Sequence, residues 1–489
     1  MKLLNPLDAT WLYVDSTKTP MHVANLSIYS MPENAGEGWV NDIVTGLRST
    51  RSFASPFNLK LASPKLKSVL PSWVEDDNID IDYHFRHSAL PQPGGERELG
   101  VLISRLHSHP LDFTRPLWEA HLIEGLEGNR FALYVKMHHS LIDGVGGMRM
   151  LVRMLSFDPA ATKLPPPWSV GTGRAEPREP REGARATPWE KALAGLRKQA
   201  ESVPGVSRAF SDLARELVKR ETPELALPFI APVSLLNKTI SGQRRFATQH
   251  YELDRVKRVA KAAGVTVNDV FLGISAGALR RYLGEIQALP EQPLTAGLPV
   301  SVRPEGDDSS ANAISFIIAN LHTHLHDPLE RIKAIHASTR LAKEQMQRLP
   351  KAGINNYTML FMSPYIAQML TGLAGHTRPM FNLTISNVPG PDRPLYFNGA
   401  RLEQMYPVSL LSHGQALNIT SVSYSGQFNI GFTGCRDTLP SMQHLAVYTG
   451  EALEELEGRT RGRGSASEAS TARRAPSRPA MDGRAGVSS

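Results

Sequence analysis

The chain has 489 residues, 41% hydrophobic and 21% charged, the balance of an ordinary globular protein with length for two or three domains. A single cysteine, Cys435, excludes an intrachain disulfide and a Cys-rich metal site, so nothing points to an oxidising compartment and the cytosol is the expected location. The net charge of +7 is mostly local: Arg459 to Ser489 carries seven arginines against Glu468 and Asp482, and with no aromatic-interleaved basic patch no nucleic-acid partner is expected.

Pro6, Asp8 and Asp15 interrupt any apolar run near the N-terminus, so no signal peptide is expected. Residues 21–29 alternate as a strand, and residues 99–107 have helical spacing. Residues 120–124 and 131–137 read as strands around the turn Gly125-Leu-Glu-Gly-Asn129. A helical face over 148–155 carries Met148, Leu151, Val152 and Leu155. From Asp158 to Pro188 the composition turns to Pro, Gly and charge, a linker. Residues 189–219 then form a basic amphipathic helical region leading to a second α/β unit near Val233. There, 245–253 reads as a strand, Asp254 as the N-cap of a helix over 255–263 ended by Gly264, and Thr266 with Asn268 as the opening of a helix to Leu283. Strand-like segments recur at 313–321, 381–386, 417–424 and 427–432, and a last helix covers 441–456. The expected organisation is an N-terminal half over 1–158, a linker and crossover helix over 159–232, a C-terminal half over 233–458, and a disordered basic tail over 459–489.

The chemistry concentrates after residues 131–139. Period two puts Phe131, Leu133, Val135, Met137 and His139 on an apolar face, and Ala132, Tyr134, Lys136 and His138 on a mixed one. Asp143-Gly144-Val145-Gly146-Gly147 then turns the chain into a helix. An imidazole at a strand end in an apolar site stays neutral, the form that accepts a proton from an alcohol or thiol. A structural His pair fits the same pattern, and on spacing alone the two readings stand level. No ligand set with metal spacing occurs. Residues 352–377 contain no charge but are broken by Ser363, Pro364, Gln368, Thr371 and two glycines. They read as a buried or groove-lining helix pair rather than a membrane span, which wants about 20 strongly apolar residues. Gly273-Ile274-Ser275-Ala276-Gly277 matches a hydrolase nucleophile elbow, yet helical spacing runs through it, so Ser275 is expected inside a helix.

His138-His139-x-x-x-Asp143-Gly144 resembles the active-site motif of the CoA-dependent acyltransferase superfamily. An ordered set of further segments resembles its bacterial wax ester synthase/diacylglycerol acyltransferase members. These are Pro6-Leu7-Asp8 with Pro20-Met21-His22, Pro116-Leu117-Trp118-Glu119, Asn268-Asp269-Val270, Pro299-Val300-Ser301-Val302-Arg303, Ser386-Asn387-Val388-Pro389-Gly390-Pro391, and Gly414-x-x-Leu417-Asn418-Ile419. The resemblance implies an α/β fold of two chloramphenicol-acetyltransferase-like halves in a V, with a tunnel at their interface. It implies acyl transfer from acyl-CoA to a long-chain alcohol or diacylglycerol in a ternary complex, with His139 as general base and acyl-CoA as a substrate, no cofactor being needed. His138 is expected to support position or acceptor binding. Asp143, before Gly144, is expected to brace the turn by pairing with Arg115 or Arg303. Asn268 is the expected oxyanion donor, with Asp269 beside it at the substrate. Ala367, Gly372 and Ala374 are expected to line the tunnel, and the protein to sit peripherally on a membrane or lipid inclusion. Two rivals share the fold: a condensation-type enzyme using a carrier-protein thioester, and a non-catalytic lipid-inclusion protein.

Overall fold

The computed structural model describes residues 2–4, 6–67, 71–171, 228–301, 314–347 and 354–472. The crossover region 189–219, most of the linker, and Arg303 lie outside the described residues. The N-terminal part contains β1 (Lys2–Leu3), α1 (Pro6–Val14), β2 (His22–Ser30), α2 (Trp39–Ser49), β3 (Leu59–Leu61), β4 (Ser72–Glu75), α3 (Ile81–His84), β5 (Phe85–Ala89), α4 (Glu96–Ser108), β6 (Trp118–Leu126), β7 (Arg130–His138), α5 (Gly144–Met154) and α6 (Pro167–Val170). The C-terminal part contains β8 (Arg244–Glu252), α7 (Leu253–Ala263), α8 (Val267–Glu285), β9 (Thr295–Ser301), β10 (Ile314–Asn320), α9 (Pro328–Gln347), α10 (Ile354–Leu370), β11 (Leu383–Pro389), β12 (Tyr396–Phe397), β13 (Ala400–Val408), β14 (Leu417–Tyr424), β15 (Gln427–Cys435) and α11 (His444–Ala472).

Two six-stranded mixed sheets organise the halves, in the orders β12-β13-β2-β7-β6-β5 and β10-β9-β11-β14-β15-β8; β1, β4 and β3 form a small third sheet. In β7 the alternation read from the sequence separates two buried layers. Phe131, Leu133, Val135 and Met137 join the main N-terminal core, while Ala132 and Tyr134 face a second one with Leu99, Ile103 and Phe246. The mixed face is therefore buried too, and its charge is neutralised there. Lys136, fully buried, donates to the carbonyls of Leu106 and His109 and lies 3.0 Å from Glu119, at the C-terminal end of α4 where a helix favours a cation. Burial pushes the Glu119 carboxyl up, but His121, Lys136 and Arg86 outweigh it and hold it down at about 2.

The halves are not separate in sequence. β12 and β13, inside the segment expected to form the C-terminal half, cross over and complete the N-terminal sheet, β13 pairing antiparallel with β2. Where β13 passes β15, any side chain at Gly431 would collide with the Pro407 carbonyl, so this close approach needs glycine. A second seam lies at the free edge of β8. Ser104 and Ser108 of α4 accept the backbone N–H groups of Phe246 and Arg244 at 2.9 and 2.8 Å, capping an edge that would otherwise be open.

Three local expectations change. The helix expected from 255 begins at Leu253 with Glu252 in the cap position, so Asp254 sits in its first turn, where a carboxylate favours the helix dipole. α11 continues to Ala472, through residues expected to be disordered. The 352–377 region holds one helix, α10, with Pro364 inside it, followed by a turn, rather than two helices. Among the described residues no single helix is long and apolar enough to cross a membrane, and the bent pair α7–α8 that passes by composition carries core residues.

Candidate active site

β7 ends at His138, and the next five residues turn the chain into α5. His138 is 1% exposed and faces inward. Its Nδ1 accepts the Ser140 N–H at 3.2 Å and meets Ser140 Oγ at 2.7 Å. The ring proton is thus on Nε2, 3.6 Å from Asp15 Oδ2. Burial pushes the His138 imidazole down despite Asp15, so the ring is neutral with its lone pair committed to Ser140. It has nothing left with which to take a substrate proton.

His139 differs in each respect. It is only half-buried, and its backbone N–H donates to the Met21 carbonyl at 2.8 Å. The Trp11 ring of α1 stacks on its imidazole with centroids 4.4 Å apart and planes 21° from parallel. Burial pushes its pKa below the ordinary value, against the opposing effects of a hydrogen bond to its own backbone carbonyl and of the Asp143 carboxylate. Only Nδ1, adjacent to Cγ, is close enough to the main chain to make that bond. A proton held on Nδ1 by that carbonyl leaves the lone pair on Nε2. A neutral, stacked imidazole with a lone pair on Nε2 is able to accept a proton from a hydroxyl.

Sequence reasoning missed the clamp around this dipeptide. Asp15, at the exit of α1, accepts the Met21 N–H at 2.8 Å and pairs with Lys67 at 3.0 Å as well as facing His138. Burial works to raise its carboxyl, but His138, Met21 and Lys67 together hold it below its usual value. Trp11, Asp15 and Met21 thus fix the pair from one side. The motif residues Met21 and His22 were visible in the sequence, and His22 lies opposite His138 in the β2–β7 register. Nothing adjacent in sequence marks Trp11 or Asp15.

Asp143 does not brace the turn through Arg115. Arg115 is engaged by Asp80 at 3.5 Å and Asp112 at 3.7 Å and lies over the Tyr83 ring, while Arg303 is outside the described residues. Asp143 is instead the N-cap of α5, its Oδ1 accepting the Gly146 N–H at 2.6 Å. A Cβ at Gly146 would press to 3.1 Å on that oxygen, and one at Gly144 would come within 3.9 Å of Val388. The Ser386–Pro391 segment of the C-terminal half therefore reaches the start of α5, where Val388 packs against the N-terminal core.

The remaining expectations divide. Asp269, 1% exposed, ties α8 to α9: it accepts in the capping box with Thr266 and from His336 at 2.7 Å and Thr339 at 2.8 Å. Asn268 is half-buried on the first turn of α8, and no described contact joins it to His139. Ala367 and Gly372 are exposed, and Gly372 has φ +72°, which strains any larger residue. Ala374 is buried, and with Gly372 it borders a polar cavity. Ser275 is buried in the middle of α8 and is no nucleophile elbow. Among the described residues no group of His, Cys, Asp and Glu could hold a metal ion.

Two family models match the chain: the wax ester synthase/diacylglycerol acyltransferase catalytic domain over residues 4–271, and the WS/DGAT C-terminal domain over 310–457. A putative diacylglycerol O-acyltransferase of Mycobacterium tuberculosis is 43% identical, over 93% of this chain and 96% of its own. The O-acyltransferase WSD of Acinetobacter baylyi is 41% identical, over 94% and 97%. Among solved structures, the wax ester synthase/diacylglycerol acyltransferase of Marinobacter aquaeolei superposes with a TM-score of 0.75 at 40% identity, covering 94% of this chain and all of that one. The first condensation domain of the calcium-dependent antibiotic synthetase, at 16% identity and a TM-score of 0.55 over 93% and 95%, shares the fold.

Proposed function

The chain belongs to the wax ester synthase/diacylglycerol acyltransferase family and is an acyl-CoA-dependent O-acyltransferase, and we propose that His139 is the base that drives its reaction. The acceptor is a long-chain alcohol, a diacylglycerol, or both. His139 Nε2 takes the hydroxyl proton as the oxygen attacks the thioester carbonyl; the C–O bond forms, the C–S bond breaks, and the proton passes from Nε2 to the departing CoA sulfur. The observation that carries this reading is the contrast within the pair: the His138 lone pair is committed to Ser140, whereas the His139 ring stacks on Trp11 and no described hydrogen bond takes up its Nε2. The transfer is direct in this reading, and the burial of Ser275 and Cys435 supports it by withdrawing both from an acyl group. Asp143 acts through the turn, as the cap that starts α5 and so aims the preceding residues. Action at a lipid surface belongs to the same proposal; Leu370 and Leu373, exposed at and just beyond the end of α10, support it.

The test is turnover by purified protein of palmitoyl-CoA with hexadecanol or with dioleoylglycerol, following free CoA and separating the lipid products. Ester formation that needs both substrates at once is expected. A [14C]palmitoyl-protein formed without acceptor would overturn the direct transfer. For the surface reading, replacing Leu370 and Leu373 by Ser should weaken flotation with lipid vesicles; unchanged flotation would refute it.

A further inference from the structure

Beside the loop leaving α1 lies a cavity of about 570 Å³, within the range of small-molecule sites. Lys18 lines it from the N-terminal half, and Thr239, Ser241, His376, His413 and Thr438 line it from the C-terminal half. Its character is cationic. Behind the wall, the Arg244 guanidinium is 3% exposed and donates to the backbone carbonyls of Ser241 and Lys18, at 2.6 and 2.9 Å, so it holds both sides of the rim. Burial lowers its pKa to about 10, which leaves it charged at neutral pH. His413 Nδ1 accepts the Ile240 N–H at 3.1 Å, and this makes Nε2 its donor. Burial first, then the charges of Lys18, His376 and Arg244, push the His413 pKa down. One acidic side chain, Asp437, also lines the cavity, but its oxygens accept from Ser241 Oγ at 2.6 Å and Arg436 Nε at 3.3 Å. Lys18 at the rim and the Arg244 guanidinium behind it put two positive charges on one concavity, and a polyanion offsets both.

The cavity also stands close to the base. Lys18 is three residues before Met21, whose carbonyl holds the His139 N–H, and three extended residues reach at most about 11 Å. A pantetheine arm spans such a separation. We propose that this cavity binds the phosphate groups of the acyl donor's nucleotide head, with Lys18 and His413 as the phosphate contacts and Arg244 as a positioning charge behind them. The site rests on the acyl-CoA reading above and adds to it where the nucleotide sits.

The experiment compares palmitoyl-CoA with S-palmitoyl-N-acetylcysteamine, the same thioester without nucleotide or phosphate, in wild type, Lys18→Glu and Lys18→Gln. For Lys18→Glu the KM for palmitoyl-CoA should rise about tenfold, the scale of one charge-assisted hydrogen bond, with less in Lys18→Gln and kcat within about twofold. The KM for the truncated thioester should not move, which also shows that the variants are folded. Inhibition by 3′,5′-ADP against palmitoyl-CoA should weaken in the same proportion. Equal changes on both thioesters, or on neither, would overturn the site. So would loss of binding to phosphatidylglycerol vesicles with an unchanged KM for palmitoyl-CoA, which would assign the cavity to a lipid headgroup. If wild type turned over neither thioester, the transferase reading itself would fail. Calorimetric binding of 3′,5′-ADP, present in wild type and lost in Lys18→Glu, would then still decide the cavity.

Discussion

Replacing His139 with Ala removes the Nε2 lone pair and little that holds the fold together. The backbone N–H of residue 139 still reaches the Met21 carbonyl. What is lost structurally is the stack on Trp11, worth about 0.5–1.5 kcal/mol beyond simple burial, so the melting temperature should move by only a few degrees. The chemical loss is larger, about 100- to 10,000-fold in kcat, or about 2.7–5.4 kcal/mol in the barrier. His138→Ala should invert the pattern. It strips the buried Ser140 N–H and hydroxyl of their partner, at about 1–3 kcal/mol for each group left unsatisfied, and adds the cost of a cavity. Its rate should fall far less than that of His139→Ala. In wild type, kcat/KM should rise with pH to a plateau through an inflection below 6.5, because the base works neutral and burial lowers its pKa. The assay is CoA release from palmitoyl-CoA and hexadecanol between pH 4.5 and 8.5, with a thermal melt of each variant. A His138→Ala enzyme more damaged in rate than His139→Ala, with an unchanged melt, would refute the assignment of the base.

Asp143→Ala should cost about 1 kcal/mol of stability, the value of a helix cap rather than of a broken buried ion pair, together with much of the activity, while Asp143→Asn retains part of both. Wild-type melting and turnover in the Ala variant would contradict the capping role. Ser275→Ala should turn over at nearly the wild-type rate, and a fluorophosphonate probe should leave Ser275 unlabelled in the folded protein; stoichiometric labelling would show that the buried position is wrong. Stability should fall in acid. His107 is fully buried, and burial first, then Lys136, lower its folded pKa to about 3, so the unfolded chain binds the proton first. The stabilisation is complete above the unfolded value of about 6.5 and is lost as pH falls from there towards 3, roughly 5 kcal/mol from this ring alone. Urea unfolding at stepped pH should show that decline, and it should be shallower in His107→Gln; parallel curves would exclude His107 as its source.

Much of the local structure is written in neighbouring residues. Period two defines β7 and separates its two faces; Thr266 with Asp269 marks the start of α8, and Gly264, at φ +69°, the end of α7. The motif around His139 could be read the same way, because a strand end, a cap and a glycine turn are local devices. Period two says which face a side chain takes but not what stands opposite it. That His138 is locked to Ser140 and Asp15 while His139 lies under Trp11 follows from α1 and its exit loop folding back over a strand more than a hundred residues later. The crossing of β13 into the N-terminal sheet was likewise invisible, since pairing with β2 joins strands remote in sequence through a connection with no periodic signature. The uncharged 352–377 segment misled for a related reason. Apolar composition reports that a helix needs a partner, and only the packing decides that Phe361 turns inward while Ala367 and Leu370 face solvent. Local propensity is set by adjacent atoms; the surroundings of His139, the clamp on the pair and the cavity at Lys18 depend on long-range contacts that exist only once both sheets are assembled.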